Sequence, residues 1–159
     1  MKTAILAVVA VLSAGCADQP RGPVGTSCPA GPLGAVELEV GTKLSCGAVP
    51  ALLVQAKAVL VADTAISPDD WEQRLASTTL SVHVRAADWW WYSGSPTMGI
   101  TACAGTSRVC TVDLNSAGDS FAHESLHVYD FARGVDSWQH EGWGPEGYFR
   151  ADSDFTARF

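Results

Sequence analysis

No block of clustered lysine or arginine occurs anywhere in the 159 residues, and the formal net charge is -7. Binding a nucleic-acid backbone needs grouped cations to displace counterions, so this composition excludes nucleic acid as a partner. No Cys-x-x-Cys pair is present, which removes the usual thiolate route to a zinc site. The apolar run at the N-terminus, Ala4 to Leu12, is too short to span a bilayer as a helix. Histidine is scarce as well: there are four, and three of them, His123, His127 and His140, fall within one short stretch.

What is present fits a single globular domain, since one hydrophobic core typically serves roughly 100 to 200 residues. The share of apolar residues, 47%, is ordinary for such a domain. The start of the chain reads as an export signal: Met1-Lys2-Thr3 supplies a basic end, Ala4 to Leu12 an apolar stretch, and Ser13-Ala14-Gly15 small residues before a cleavage point. Because Cys16 follows, residues 12 to 16 resemble the lipobox of bacterial lipoproteins, with Leu12 one place earlier than the usual aliphatic position, which is here Ser13. The resemblance implies a lipid anchor on Cys16, and Ala17 after it implies the outer membrane of a two-membrane bacterium. A secreted protein without the lipid is the alternative.

Five cysteines make an odd number, and an exported protein should not leave a thiol idle. With Cys16 lipidated, Cys28, Cys46, Cys103 and Cys110 remain. They allow three pairings, of which Cys28 with Cys46 and Cys103 with Cys110 closes the shortest loops.

Residues 16–35 are rich in Gly and Pro without an apolar period, and read as a tether behind the signal of residues 1–15. Val36 to Val40 alternates with period two, and Gly41-Thr42 gives a turn, so a small hairpin closed by Cys28 and Cys46 is expected there. Pro50 opens a helix with Leu52, Leu53, Ala56, Val59 and Leu60 at helical spacing, expected to be largely buried. Ser67-Pro68-Asp69-Asp70 reads as an N-cap starting a short helix through Trp71 and Leu75. Thr78 to Val84 alternates as a strand, where a lone His83 is expected to face solvent or to make a structural hydrogen bond. Four consecutive aromatics, Trp89 to Tyr92, cannot all share one face, so some are packed and some are left to a rim or to a peptide- or glycan-binding surface. Met98 to Cys103 and Arg108 to Leu114 read as two strands of a disulfide-stapled hairpin. Candidate N-caps from Asn115 to Asp119, near Ser116, and a stop at Gly134 bracket a further helix.

That last helix carries His123-Glu124-Ser125-Leu126-His127. Positions i and i+4 stand on one helical face, so both imidazoles can reach one metal ion, and Glu124 is then placed as the base for a metal-activated water. A third protein ligand is needed. His140 leads, with Glu146 second and Glu141 third. Asp130, three residues after His127, could orient an imidazole, and Tyr148 could donate a hydrogen bond to an oxyanion. Trp138, Trp143 and Phe149 read as the hydrophobic wall of the site.

The order helix, strands, metal helix over residues 50–134 resembles the zincin metallopeptidases. The run Asp136 to Trp143 resembles the SprT-like branch, in which a third His beside Gly and an aromatic follows the active helix. The strict metzincin pattern is absent, because Arg133 stands where its third His would be and no methionine follows the helix. The resemblance implies Zn²⁺ held by His123, His127 and His140, a peptide or protein substrate, and a strand at the sheet edge that pairs with it, either Met98 to Cys103 or Arg108 to Leu114. The expected fold is α+β: one compact zincin-like domain over residues 36–159, a small antiparallel or mixed sheet packed on two main helices, the second carrying the motif. A monomer is expected. The competing expectation is a non-catalytic surface lipoprotein that binds protein, glycan or metal through the aromatic stretch.

Overall fold

Hydrophobic alternation on three adjacent strands builds the centre of the molecule. The structure, a computed structural model, describes residues 18–104, 108–135 and 140, apart from the side chain of Pro32. The elements are β1 (Val24–Pro29), β2 (Ala35–Glu39), α1 (Val49–Asp63), α2 (Pro68–Ala76), β3 (Thr79–Val84), β4 (Trp90–Tyr92), β5 (Ser95–Thr97), β6 (Gly99–Ala104), β7 (Val109–Leu114) and α3 (Phe121–Ala132). Five strands form one mixed sheet in the order β1-β2-β3-β7-β6, while β4 and β5 form a separate two-stranded ribbon. The two central pairings, β2 with β3 and β3 with β7, are parallel, and both flanking ones are antiparallel. The protein is therefore α+β.

Val36, Val82 and Val112 lie in register across the three inner strands, with Leu38, Val84 and Leu114 in the next row, all buried. Each such side chain contributes roughly 1.5–3 kcal/mol by leaving water. α3 packs against β6, β7, α1 and α2, so the motif helix lies between the sheet and the other two helices. In α1, Leu52, Ala56 and Leu60 recur every four residues and form the buried stripe. Val54 and Val61 point outward, so this helix is less buried than its composition suggests. Its first turn follows Cys46, whose disulfide to Cys28 ties it to β1.

α2 begins as expected: the Ser67 hydroxyl faces the Asp70 amide, Pro68 starts the helix, and Trp71 and Leu75 face the core. α3 ends at Gly134 in a left-handed turn, with the Gly134 amide donating to the Phe131 carbonyl and the Val135 amide to that of Asp130. That pair of bonds satisfies the last carbonyls of the helix. Its start is later than the Asn115 to Asp119 cluster suggests. Ser116 is occupied elsewhere, accepting from the Lys43 amide at both its hydroxyl and its carbonyl, and Gly118 turns the chain with a positive φ close to Leu52.

Two expectations about the strands need correction. Residues 24–29, read as part of a tether, form β1, paired antiparallel to β2 through Val24↔Glu39 and Pro29↔Ala35. The hairpin is accordingly β1–β2, and the Cys28–Cys46 disulfide does not close it but joins β1 to the turn that leads into α1. The ribbon β4–β5 was not foreseen. It turns on Ser93 and Gly94, both with positive φ, the two-residue geometry that matches strand twist. The cysteines pair as the short-loop arrangement has them, Cys103 with Cys110 lying directly opposite across β6 and β7. The residues of the export signal, Cys16 included, lie outside the described residues.

The face of the sheet turned away from α3 is polar, and the N-terminal segment is seated on it. Arg85 donates to Asp113 at 3.1 Å and to the Gln19 carbonyl at 2.9 Å, and lies 4.5 Å over the Trp90 ring. Arg21 reaches Asp113 at 2.7 Å. Beside them, buried His83 meets Glu39 at 2.9 Å and Glu37 at 3.4 Å, the structural role expected for it. Burial alone would raise the Glu39 carboxyl, but amide hydrogen bonds from Ala86 and Gly22 and the His83 ring hold it below the usual range.

Removing one partner of a buried ion pair leaves the other uncompensated, which typically costs several kcal/mol. Arg85→Ala is therefore expected to lower unfolding stability by about 3 kcal/mol in urea titration. A loss under about 1 kcal/mol would show that Arg21 alone satisfies Asp113.

Candidate metal centre

Packing decides which side chains of α3 remain available. Phe121, Ala122, Ser125, Leu126, Val128 and Tyr129 are buried, and the Tyr129 hydroxyl donates to Asp70 on α2 at 2.7 Å. His123 and His127, four apart, are left on the remaining side, partly exposed. His140 joins them from beyond the helix, in a left-handed backbone conformation (φ 59°).

The three ring centroids form a nearly equilateral triangle, with separations of 5.2, 4.9 and 5.0 Å. One ligand atom from each ring lies within 4.8 Å of the others, and Nε2 of His140 is 3.1 Å from Nε2 of His123. Two imidazole nitrogens on one tetrahedral zinc, each at about 2.0–2.1 Å, sit about 3.3 Å apart, so this edge already has coordination length. Neutral imidazole is the form that binds metal. Burial first, then repulsion from His140, brings His123 down to about 4; burial and both neighbouring rings bring His127 down to about 3; burial lowers His140. Burial thus favours the neutral, metal-binding form of each ring. The donor set therefore fits a divalent metal ion.

Glu124 is almost fully buried beside the triad. Thr101 on β6 donates its hydroxyl to Oε2 at 2.7 Å. Gly99, two residues earlier on the same face of β6, leaves room for the carboxylate: an added Cβ there would lie 2.8 Å from both Cγ and Cδ of Glu124 and closer still to Oε1. Burial pushes this carboxyl up to about 7, with the Thr101 hydrogen bond working against the shift and Asp113 adding to it. A base with that affinity is poised for proton transfer near neutral pH.

These groups open into one cleft of about 630 Å³, lined by the three histidines, Glu124, Ser120, the start of β6 and the β4–β5 ribbon. The histidines and Glu124 named from the sequence meet there. Asp130 is fully buried on α3, with Arg133 3.9 Å from its carboxylate. Tyr148, Glu146, Glu141, Trp138, Trp143 and Phe149 lie outside the described residues. Sequence reasoning missed Gly99 and Thr101, although their spacing of two on a strand beside the motif helix was a usable signal.

The titrations make opposite contributions to stability. His123 and His127 fall below their ordinary 6.5, so the unfolded chain binds more protons below that pH; their contribution is complete above about 6.5 and lost as pH falls toward 4 and 3. Glu124 rises from 4.5 to about 7, so its contribution is present below 4.5 and lost as pH rises through 7. Glu124→Gln should therefore stabilise the chelator-treated protein at pH 8 by an amount of the order of 3 kcal/mol, shrinking toward pH 4.5, by urea titration at the two pH values. Equal stability of the two proteins at pH 8 would contradict the buried carboxylate.

No protein family matches this chain, and neither a curated protein nor a solved structure does.

Proposed function

We propose that this chain is an exported, lipid-anchored zinc metallopeptidase that hydrolyses peptide bonds. The observation that carries the reading is the convergence of His123, His127 and His140 beside Glu124 in a cleft bordered by a sheet edge. Three imidazoles and no thiolate suit zinc in a catalytic arrangement, with a coordination position left for water or substrate. Zinc held there would supply a Lewis acid and lower the pKa of a water.

The remaining work belongs to the chain's own residues. Thr101 occupies Oε2 of Glu124, which leaves Oε1 to take the proton of the attacking water and hand it to the leaving amine. β6 lies at the edge of the sheet, and among the described residues no strand pairs with its outer side. An extended peptide laid along β6 would gain main-chain hydrogen bonds whatever its side chains, and would cross the cleft at Gly99 to Thr101. The likeness to zincins in the order of helix, strands and motif helix supports the same assignment.

Export is supported by the two disulfides, which belong to an oxidising compartment. They use four of the five cysteines and leave Cys16 as the one for the lipobox-like sequence. Zinc binding, peptide hydrolysis and the lipid anchor are thus parts of one proposal: an enzyme held at the cell envelope.

Incubation of the zinc-loaded protein with an unbiased peptide library should yield cleavage that Glu124→Ala abolishes. Stoichiometric zinc with no cleavage by either protein would contradict the enzyme and favour a binding role. Gly99→Ala should keep zinc and lower kcat by about 10- to 100-fold, because its methyl group displaces the Glu124 carboxylate. An unchanged kcat in that variant would show that Glu124 works from another position.

A further inference from the structure

The β4–β5 ribbon forms one wall of the cleft, and its aromatic residues divide sharply in environment. Trp90 is fully buried, with Arg85 stacked on its ring. Trp89 is 56% exposed and stands edge-on to Trp91, with ring centroids 6.4 Å apart at 82°. Met98, just after the ribbon, is 41% exposed. Trp89, Tyr92, Pro96, Met98 and Ile100 all line the same cleft as Glu124 and the triad.

We infer that this wall is a subsite for a large uncharged side chain, preferentially aromatic, of a peptide lying along β6, seated against Trp89 and Met98. The inference rests on the peptide-binding cleft proposed above and names the side chain that the cleft selects.

Three features support it. First, the wall is built before substrate arrives. The Ser93 amide donates to Asp18 Oδ1 at 2.6 Å, the Gln19 amide donates to the Trp91 carbonyl at 3.1 Å, and Arg85 holds the Gln19 carbonyl. The N-terminal segment thus clasps the ribbon from outside, and little ordering entropy is left to lose on binding. Second, the charge lies at one end. Among the described lining residues Glu124 and the three histidines mark the metal side, and the ribbon side presents rings, thioether, hydroxyls and aliphatic groups. Among the described lining residues the ribbon side offers no charged group to pair with a charged side chain, whereas an aromatic ring would cover apolar surface now facing water and gain an edge or face contact with Trp89. Third, the open edge of β6 places a peptide main chain beside the wall, and a strand sends alternate side chains to each face. The cleft volume of about 630 Å³ has room for such side chains.

The test uses the full chain as the Glu124→Gln protein loaded with zinc, so that binding is read without turnover. Dye-labelled alanine-based peptides carry a single Phe, Arg or no large residue, scanned through each position, and affinity is measured by fluorescence anisotropy. At one position Phe is expected to bind about tenfold tighter than Ala, and Trp89→Ala to reduce that advantage to about twofold or less. Trp89→Phe, which keeps a ring, is expected to retain most of it. Equal affinity for Phe and Ala peptides, a Phe advantage that survives Trp89→Ala, or tightest binding by Arg through a cation–π contact would each overturn the inference. The metallopeptidase reading fails separately. A Trp89-dependent Phe advantage in a protein that takes up no zinc supports the subsite and removes the enzyme; zinc with Glu124-dependent cleavage and no Phe advantage removes the subsite alone.

Discussion

The approach of α3 to β6 at Gly99 is the contact on which the arrangement of this molecule depends. Only a residue without a side chain lets the Glu124 carboxylate lie against the strand, and Thr101 then fixes one of its oxygens. The same approach brings His123 and His127 to the rim of the cleft and leaves the outer edge of β6 beside them. Burial follows from it too, and burial gives the carboxyl and the imidazoles their shifts in opposite chemical senses: the acid holds its proton and the bases lose theirs. A site that needs neutral imidazoles and a carboxyl titrating near neutrality obtains both from one packing arrangement.

The other face of the sheet supports that arrangement from behind. Asp113 on β7 holds Arg85 and Arg21, and Arg85 in turn holds Gln19 and covers Trp90. Buried charges of this kind add little net stability when compared with apolar packing, but they are demanding about geometry. Here they hold the N-terminal segment in one course across the sheet, and through Asp18 and Gln19 they fix the ribbon that walls the cleft. The ribbon, which shares the cleft with the motif helix, is thereby held by the N-terminal segment that crosses the sheet.

Much of this was legible in the sequence wherever a local pattern carried its own signal. The apolar spacing of α1, the Ser67-Pro68 start of α2, the alternation in β3, the glycine stop at Gly134 and the short-loop cysteine pairing all act within a few residues, and each stands as expected in form. The i, i+4 spacing of His123 and His127 belongs with them. What was not legible depends on partners distant in the chain. β1 has only Cys28 facing inward, so nothing in residues 24–29 announces a strand; pairing with β2 and the disulfide make it one. α3 begins at Phe121 because the hydroxyl and carbonyl of Ser116, its expected cap region, are taken by Lys43. The roles of Gly99 and Thr101 exist only once β6 lies under α3.

The central claim is that three histidines, the last of them thirteen residues beyond the second, make one metal site. Zinc affinity of the purified protein, measured by competition with a chromophoric chelator, tests it most directly. The account predicts one zinc per chain in the wild type and at least about 100-fold weaker binding in His140→Ala, with the fold retained by circular dichroism. Absence of stoichiometric zinc, or an affinity that His140→Ala leaves unchanged, would contradict it.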